Sequence, residues 1–370
     1  MIEKIHIQNF KSIYDLELEV GRVNLFIGEN GSGKSNLLEA LVFVSASESN
    51  MLANEFLVSR GLRVPEPELM RSAFNENINN IKMKIQDDND TINYEFKNDN
   101  KPYSKWSLDF SIEMQEQLDK IITERYKCQN FEDFAENVEM ENILKSNNSL
   151  FLKNFIIYSP ENMALRVFEK EGQVQPLGIN GQGLLKLLKV INNYKDQSYI
   201  KTIIESLQLF NWFENIEIPT NISSGEDKVI IKDKYLYREM TQGSANEGFL
   251  FILFYITLIV AKETPKAFAI DNIDASLNPK LCTKLMTILT ELAQKYDKQI
   301  FLTTHNPAIL DGIDLNDKEQ KIFVVSRNKK GHTRRKEITI EDKPKSSDDE
   351  ALHLSEAFMR GYLGGLPKGF

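Results

Sequence analysis

Eight consecutive residues, Gly28-Glu29-Asn30-Gly31-Ser32-Gly33-Lys34-Ser35, place glycine, lysine and serine at the spacing G-x-x-x-x-G-K-[ST]. That pattern makes a cradle for phosphate. Glycine lets the backbone curl until its N–H groups converge on phosphate oxygens. Lys34 can reach the β- and γ-phosphates of a triphosphate, and the Ser35 hydroxyl can join the shell of a Mg²⁺ ion. Asn30, Gly31, Ser32, Gly33 and Asn36 complete the expected contacts to the nucleotide.

A phosphate cradle needs a second acidic group to hold the metal through water. Phe268-Ala269-Ile270-Asp271 supplies one, an apolar run ending in a carboxylate, so Ser35 and Asp271 are the expected metal pair. The next residue is Asn272, whose carboxamide can hydrogen-bond a water but cannot take its proton. Gln299 to Thr304 reads as a strand that ends at His305-Asn306-Pro307. Ligands of open α/β sheets bind at the C-terminal ends of strands. His305 is therefore expected to sense the γ-phosphate, against the plainer role of a satisfied structural histidine. Lys34, Asp271, Asn272 and His305 form the expected catalytic set. Ser244-Ala245-Asn246-Glu247 reads as a capping box opening the apolar helix that runs to Ala261. It is either only a cap, or a helix start that presents backbone donors to a phosphate.

These groups must be carried by particular elements. Val23 to Ile27 predicts a buried strand leading into the cradle, and Asn36 to Leu41 a helix leading out. Residues 46–75 predict helix and loop, with Pro65 and Pro67 as breakers. Residues 76–112 predict three antiparallel strands joined by Asn/Asp turns, and the acidic cluster at Asp87 to Asp90 reads as a solvated turn. Residues 113–150 predict an inserted helical arm or lid. Leu184 to Leu209 reads as mostly helical, and Ile216 to Ile218 and Val229 to Tyr237 as strands. Asn278-Pro279 is a helix start of the N-cap and first-position type. Leu281, Leu285, Ile288, Leu289 and Leu292 then share one apolar face. Alternation of helix and strand from Ser244 onward is the pattern of a parallel sheet.

Ile322 to Val325 and Thr333 to Ile340 predict a hairpin. Its Lys329, Lys330, Arg334, Arg335 and Lys336 are either gatekeeping charges or a contact to a phosphate backbone. Ser347-Asp348-Asp349-Glu350 reads as a second capping box, starting a helix to about Arg360. A glycine-rich tail follows, suited to dock on something apolar.

The 370 residues can bury a large core, and the formal net charge of -9 argues against a general polyanion binder without excluding a local basic patch. Cys128 and Cys282 lie far apart with no metal-type spacing, as expected in a reducing cytosol. No basic head and long apolar stretch marks the N-terminus. The most apolar run, Phe249 to Ala261, is too short to span a bilayer and reads as a buried core helix. A cytoplasmic location without membrane contact is the expectation.

In this order the pieces resemble the ABC-type ATPases, and within them the RecF, SMC and overcoming-lysogenization-defect branch. Ile5-His6-Ile7-Gln8-Asn9-Phe10-Lys11-Ser12 is similar to that branch's first strand and its N-F-[KR]-S turn, which implies Lys11 and Ser12 beside the nucleotide. Ser159-Pro160-Glu161-Asn162 resembles the S-P-E-D stretch of RecF near the Q-loop, implying a role for Glu161. Gln242 to Gly248 occupies the slot of the L-S-G-G signature. There Ser244 matches the serine, while Ala245 and Asn246 replace the glycine pair. Asp271 matches the Walker B aspartate, Asp274 to Leu277 the D-loop, and His305 the switch histidine. The residue after that aspartate is commonly a glutamate in such ATPases.

The resemblance implies an α/β P-loop NTPase fold: an ABC-ATPase head with a mixed central sheet, an antiparallel β subdomain and a helical insertion. The head would comprise 1–45 and 155–340, with an antiparallel β/insert region at 46–112. A helical insertion would occupy 113–154, and a C-terminal helix and docking tail 341–370. It implies ATP and Mg²⁺ as ligands, and a homodimer in which the Lys34 loop of one subunit and the Ser244 turn of the other hold one ATP. Asn272 implies slow hydrolysis. With no room for a TOPRIM nuclease after the head, an effector, a nuclease or other toxin, is expected on a separate chain. The favoured setting is the sensor or regulatory subunit of an anti-phage defence complex. A RecF-like DNA-repair ATPase and a non-hydrolysing scaffold glued by ATP are the competing readings. The lack of a membrane span and the long 46–150 insert argue against a transporter, and the lack of an Arg-rich lid argues against an adenylate-kinase-like enzyme.

Overall fold

The computed structural model describes residues 1–74, 80–88, 91–101, 104–109, 152, 154–168, 170–222, 228–343 and 352–365. The expected helical arm at 113–150, Cys128, the capping box at 347–350 and the last five residues of the tail lie outside the described residues.

A six-stranded sheet forms the centre, in the order β14-β13-β3-β12-β11-β7. Its strands are β3 (Val23–Ile27), β7 (Ile157–Tyr158), β11 (Ala267–Ile270), β12 (Gln299–Thr304), β13 (Gln320–Arg327) and β14 (Thr333–Ile338). All neighbours are parallel except β13 and β14, which pair antiparallel as the expected hairpin. Every residue of β3, β11 and β12 is buried. Parallel strands covered on both faces have no solvent side, so these sequences do not alternate and are mostly apolar, with Asn24, Gln299, Thr303 and Thr304 as buried polar exceptions.

The two faces carry separate cores. Leu25 and Ile27 point into one, which contains α6 (Glu247–Val260) and α7 (Pro279–Lys295). Phe26, Phe301 and Phe323 point into the other, with α1 (Lys34–Glu48) and the N-terminal strands. All residues of α6 from Phe249 to Val260 are buried, so a helix apolar all round is a core helix, as expected. Among the described residues no helix is long and apolar enough to cross a membrane.

A five-stranded antiparallel sheet, β2-β1-β4-β5-β6, covers α1. It joins β1 (Ile2–Phe10) and β2 (Ile13–Glu19) to β4 (Ile81–Asp87), β5 (Thr91–Lys97) and β6 (Ser107–Asp109). The three strands expected in 76–112 are present, and they extend the N-terminal hairpin through the β1–β4 pairing.

Between them, α2 (Asn54–Ser59) and α3 (Pro67–Met70) fill the 46–75 segment. Pro67 opens α3 at its first turn instead of breaking a helix, because proline has no N–H to lose there. Helices α4 (Leu184–Asn192) and α5 (Ser198–Leu207) precede the strands β8 (Phe213–Glu217) and β9 (Ile230–Asp233) of a small sheet, β10-β9-β8. That sheet is shorter than the sequence suggests. Strand β9 stops at Asp233, whose carboxylate accepts the N–H of Tyr235 and turns the chain before β10 (Met240–Thr241). The described C-terminal helix, α8 (Leu354–Met359), starts at an N-cap His353, later than the capping box at 347–350 would place it.

Candidate nucleotide site

Register brings the expected residues to one edge. Ile27 at the end of β3 is opposite Thr304, and Ile270 at the end of β11 is opposite Leu302. The cradle, Asp271 and His305 therefore leave three adjacent parallel strands at their C-terminal ends, where open α/β sheets place ligands.

The cradle needs its glycines. Gly33 is the N-cap of α1 at φ 106°, and a Cβ there would lie 2.2 Å from Thr333 Oγ1 and 2.8 Å from Ser12 Oγ. At Gly28 a Cβ would lie 2.0 Å from the Val325 carbonyl oxygen. Lys34 folds back on the loop, donating to the carbonyls of Gly28 at 2.9 Å and Glu29 at 3.0 Å. Burial pulls its ammonium below the ordinary value, against the opposing fields of Asp271, Asp274 and Glu29.

Ser35 Oγ donates to the Asp271 carboxylate at 3.1 and 3.3 Å. Asp271 also accepts from Thr303 Oγ1, which in turn accepts the Asn272 N–H at 2.9 Å. Asn272 is exposed and sits in the left-handed region at φ 57°, which asparagine tolerates better than most residues. Asp274 accepts from Thr304 Oγ1 at 2.7 Å and from the His305 backbone N–H at 3.3 Å. Burial, then the Lys34 charge, lower the His305 ring pKa, while Asp274, Asp271 and a bond to the Gly28 carbonyl oppose them. Through the Gly28 carbonyl the ring touches the cradle.

The donor set suits the implied Mg²⁺. A hydroxyl and a carboxylate in contact form an all-oxygen pair, and Mg²⁺ typically takes one or two protein oxygens together with phosphates and waters. Ser32 Oγ is buried in the cradle with no partner among the described residues. No cluster of three or more His, Cys, Asp or Glu side chains forms a separate metal site among the described residues.

Lys11 and Ser12, implied beside the nucleotide, are engaged within the chain. Ser12 Oγ contacts Thr333 Oγ1 and accepts from Asn36 Nδ2, both at 2.7 Å, so it props the cradle from beneath. Lys11 donates to Glu39 at 2.5 Å and to the Arg63 carbonyl at 2.7 Å. Glu39, only 1% exposed, also accepts from Arg63 Nε at 2.6 Å. Arg63 reaches Asn36 Oδ1 at 3.2 Å, and its charge is reinforced first by Glu39 and further by Asp271. Sequence reasoning missed Glu39 and Arg63. Glu39 stands one turn beyond Ser35 on α1 and carried a signal, as a carboxylate within an otherwise buried stretch. Arg63 follows a Gly-Leu loop and carried none.

Within the chain, the three remaining expected contacts, Glu161, Asn246 and Ser244, have other partners. Glu161 accepts from Asn180 Nδ2 at 2.7 Å. Asn246, not Ser244, caps α6, its Oδ1 accepting the Phe249 N–H at 2.8 Å. The capping-box reading is thereby corrected: Glu247 is the first helical residue and its carboxylate accepts from Ser276 Oγ instead of closing a box. Ser244 is exposed in the preceding turn, its N–H given to the Thr241 carbonyl. Among the described residues no hydrogen bond or ion pair links 242–246 to the phosphate loop.

The profile of a family described as "AAA domain, putative AbiEii toxin, Type IV TA system" matches residues 23–311. The chain belongs to this AAA-domain family. The match begins with β3 and runs past His305, so it spans every strand that carries the site. The DNA replication and repair protein RecF of Cytophaga hutchinsonii is 24% identical to this AAA-domain protein over 380 positions, covering 89% of this chain and 96% of its own. An uncharacterized protein of Methanocaldococcus jannaschii is 46% identical over 67 residues, 16% of this chain and 31% of that protein. RecF of Listeria welshimeri is 42% identical over 55 residues, 15% of each chain. The AAA-domain protein thus spans less than two thirds of the last two relatives.

Among solved structures, the SmcHead bound to the C-winged helix domain of ScpA shares the fold with a TM-score of 0.57 at 16% identity, covering 92% of this chain and 98% of that one. The Pyrococcus furiosus Smc head with an extended coiled coil has a TM-score of 0.50 at 14% identity, covering 92% and 96%. The AAA-domain protein has an SMC-head-like P-loop ATPase fold of RecF/SMC type.

Proposed function

We propose that the protein binds Mg-ATP and that ATP closes a homodimer, with slow hydrolysis. The separation within one chain of the Lys34 cradle from the exposed Ser244 turn carries this reading. An exposed serine with no hydrogen bond to the cradle of its own chain among the described residues supports a contact made to a second copy. Lys34, Asn30, Gly31, Ser32, Gly33, Ser35 and Asn36 would hold the triphosphate, and Ser35 with Asp271 the Mg²⁺. Bound Mg²⁺ supplies charge neutralisation of the phosphates. Asn272 would orient a water without accepting its proton, and His305 would turn the ring N–H it now gives to the Gly28 carbonyl toward the γ-phosphate. Binding energy released only in the closed state shifts the monomer–dimer balance.

In this reading the closed dimer signals to a separate effector, a nuclease or other toxin, within an anti-phage defence complex in the cytoplasm. The head would comprise 1–45 and 155–340, with inserts at 46–112 and 113–154 and a docking tail at 341–370. A second reading, DNA repair, is favoured by the RecF match across nearly the whole of both chains. In that case the basic hairpin at Lys329 to Lys336 meets the DNA backbone.

Calorimetry with Mg-ATP and light scattering with and without ATP test the core of the proposal. Binding and a doubling of mass are expected for the wild type, and neither for Lys34→Ala. A wild type that gives no heat ends the nucleotide reading, and one that binds but stays monomeric ends the clamp. Salt-dependent DNA binding by the isolated protein would select the repair reading.

A further inference from the structure

One guanidinium holds the turn that carries Ser244. Arg166 lies after β7 and belongs to a different part of the chain from the turn. Its Nη1 donates to the carbonyls of Gln242 at 2.9 Å and Gly243 at 2.8 Å, and its Nη2 to the carbonyl of Ala245 at 2.8 Å. Its Nε donates to Asn162 Oδ1 at 2.9 Å, which aims the plane. Three carbonyls of the turn, on either side of Ser244, are thus drawn toward one planar, permanently charged fork. Charge-assisted bonds of this kind are about twice as strong as neutral ones.

We infer that Arg166 is a positioning residue that shapes the Ser244 turn for a nucleotide held by a second copy of this chain. The inference rests on the ATP-dimer reading above. Two observations carry it. The carbonyls of Gln242, Gly243 and Ala245 converge on one guanidinium from outside the turn, in addition to the turn's own bond from the Ser244 N–H to the Thr241 carbonyl. Arg166 binds the carbonyl side, leaving the Ser244 hydroxyl exposed on the turn. Arg166 is also tied to the chain's own site. Its segment leaves β7 at Tyr158, whose carbonyl accepts the Asp271 N–H at 2.9 Å. A shift of β7 against β11 at one nucleotide site would therefore be carried, through Asn162 and Arg166, to the turn offered to the other. Lysine cannot replace this fork, because an ammonium is a point charge without planar, divergent donors.

The test uses the full chain with Arg166→Ala and Arg166→Lys. Hydrogen exchange in the absence of nucleotide should show amides of 242–249 exchanging at least tenfold faster in Arg166→Ala, with 266–305 unchanged. Mg-ATP affinity of the dilute monomer should stay within threefold of wild type. The ATP-dependent dimer constant should weaken at least tenfold in Arg166→Ala, and only partly recover in Arg166→Lys. Unchanged exchange at 242–249 overturns the inference whether or not the wild type dimerises. A wild type that stays monomeric with ATP bound overturns the clamp reading instead, and with it the partner's role in the inference. If faster exchange comes with an unaltered dimer constant, the turn is held by Arg166 but is not what the partner reads, and the inference fails. Should Arg166→Ala not fold, Arg166→Lys carries the same measurements with smaller expected changes.

Discussion

Ser35 Oγ lies 3.1 Å from the Asp271 carboxylate across 236 residues of sequence. The contact joins the first turn of α1 to the end of β11, and it brings together the two protein oxygens that suit Mg²⁺. Asp271→Asn preserves the acceptor for Thr303 and removes the charge. It should fold normally and lose at least tenfold in Mg-ATP affinity, about 1.4 kcal/mol. Titration with ATP in EDTA should show little difference between variant and wild type, and a loss of equal size without Mg²⁺ would remove the metal role.

Asn272 combines a chemical and a conformational constraint. Its backbone is left-handed at φ 57°, where a residue with a longer side chain costs about 1 kcal/mol. Asn272→Glu should therefore lower the unfolding free energy by about that amount in denaturant titration, while raising ATP turnover at least tenfold. Asn272→Gly should relieve the strain and leave turnover low. Wild-type turnover already within the ~1–10³ per second usual for enzymes would refute the slow clamp.

Glu39 is a buried carboxylate shared by two cations. Glu39→Gln leaves Lys11, whose side chain is 10% exposed, without its counter-charge. Breaking a buried pair from one side costs about 3–5 kcal/mol. Arg63, 70% exposed, should tolerate alanine at a cost of about 1 kcal/mol or less. Urea unfolding of the two variants should separate them clearly, and equal costs would refute this division of roles.

The turn before α6 splits two tasks between neighbours. Asn246→Ala removes a helix cap and should cost about 1 kcal/mol of stability. Ser244→Ala touches no cap and should leave the melting temperature unchanged while weakening ATP-dependent association. Light scattering and thermal unfolding on both variants would show the reverse pattern if Ser244 were only structural.

His305 should make stability rise with pH. Its folded pKa is depressed from 6.5 by burial and by Lys34, with Asp274, Asp271 and the Gly28 carbonyl opposing. The unfolded chain then binds the proton more readily, so stability falls as pH drops through the unfolded value and is full above it. Between pH 5 and 8 the wild-type melting temperature should climb more than that of His305→Gln. Parallel curves would mean the ring does not titrate as described.

Local sequence carried the cradle and the strands of the central sheet. The glycine spacing before Lys34, the apolar run into Asp271 and the strand into His305 are each short-range patterns, and buried parallel strands write themselves as mostly apolar runs without alternation. The Asn278 cap was legible for the same reason: its Oδ1 accepts the Leu281 N–H three residues on. Which residue caps α6 was not, because serine and asparagine both suit the position and only the backbone entering the helix selects Asn246. Pairing across the chain lay beyond any local pattern. Glu39 with Lys11 and Arg63, Ser12 with Thr333, and Arg166 with the Ser244 turn join residues whose approach depends on the packing of two cores against one sheet. Hydrogen bonds and ion pairs act over a few ångströms, so partners distant in sequence are chosen by the fold that brings them into range, while the periodicity that builds the fold is written along the chain.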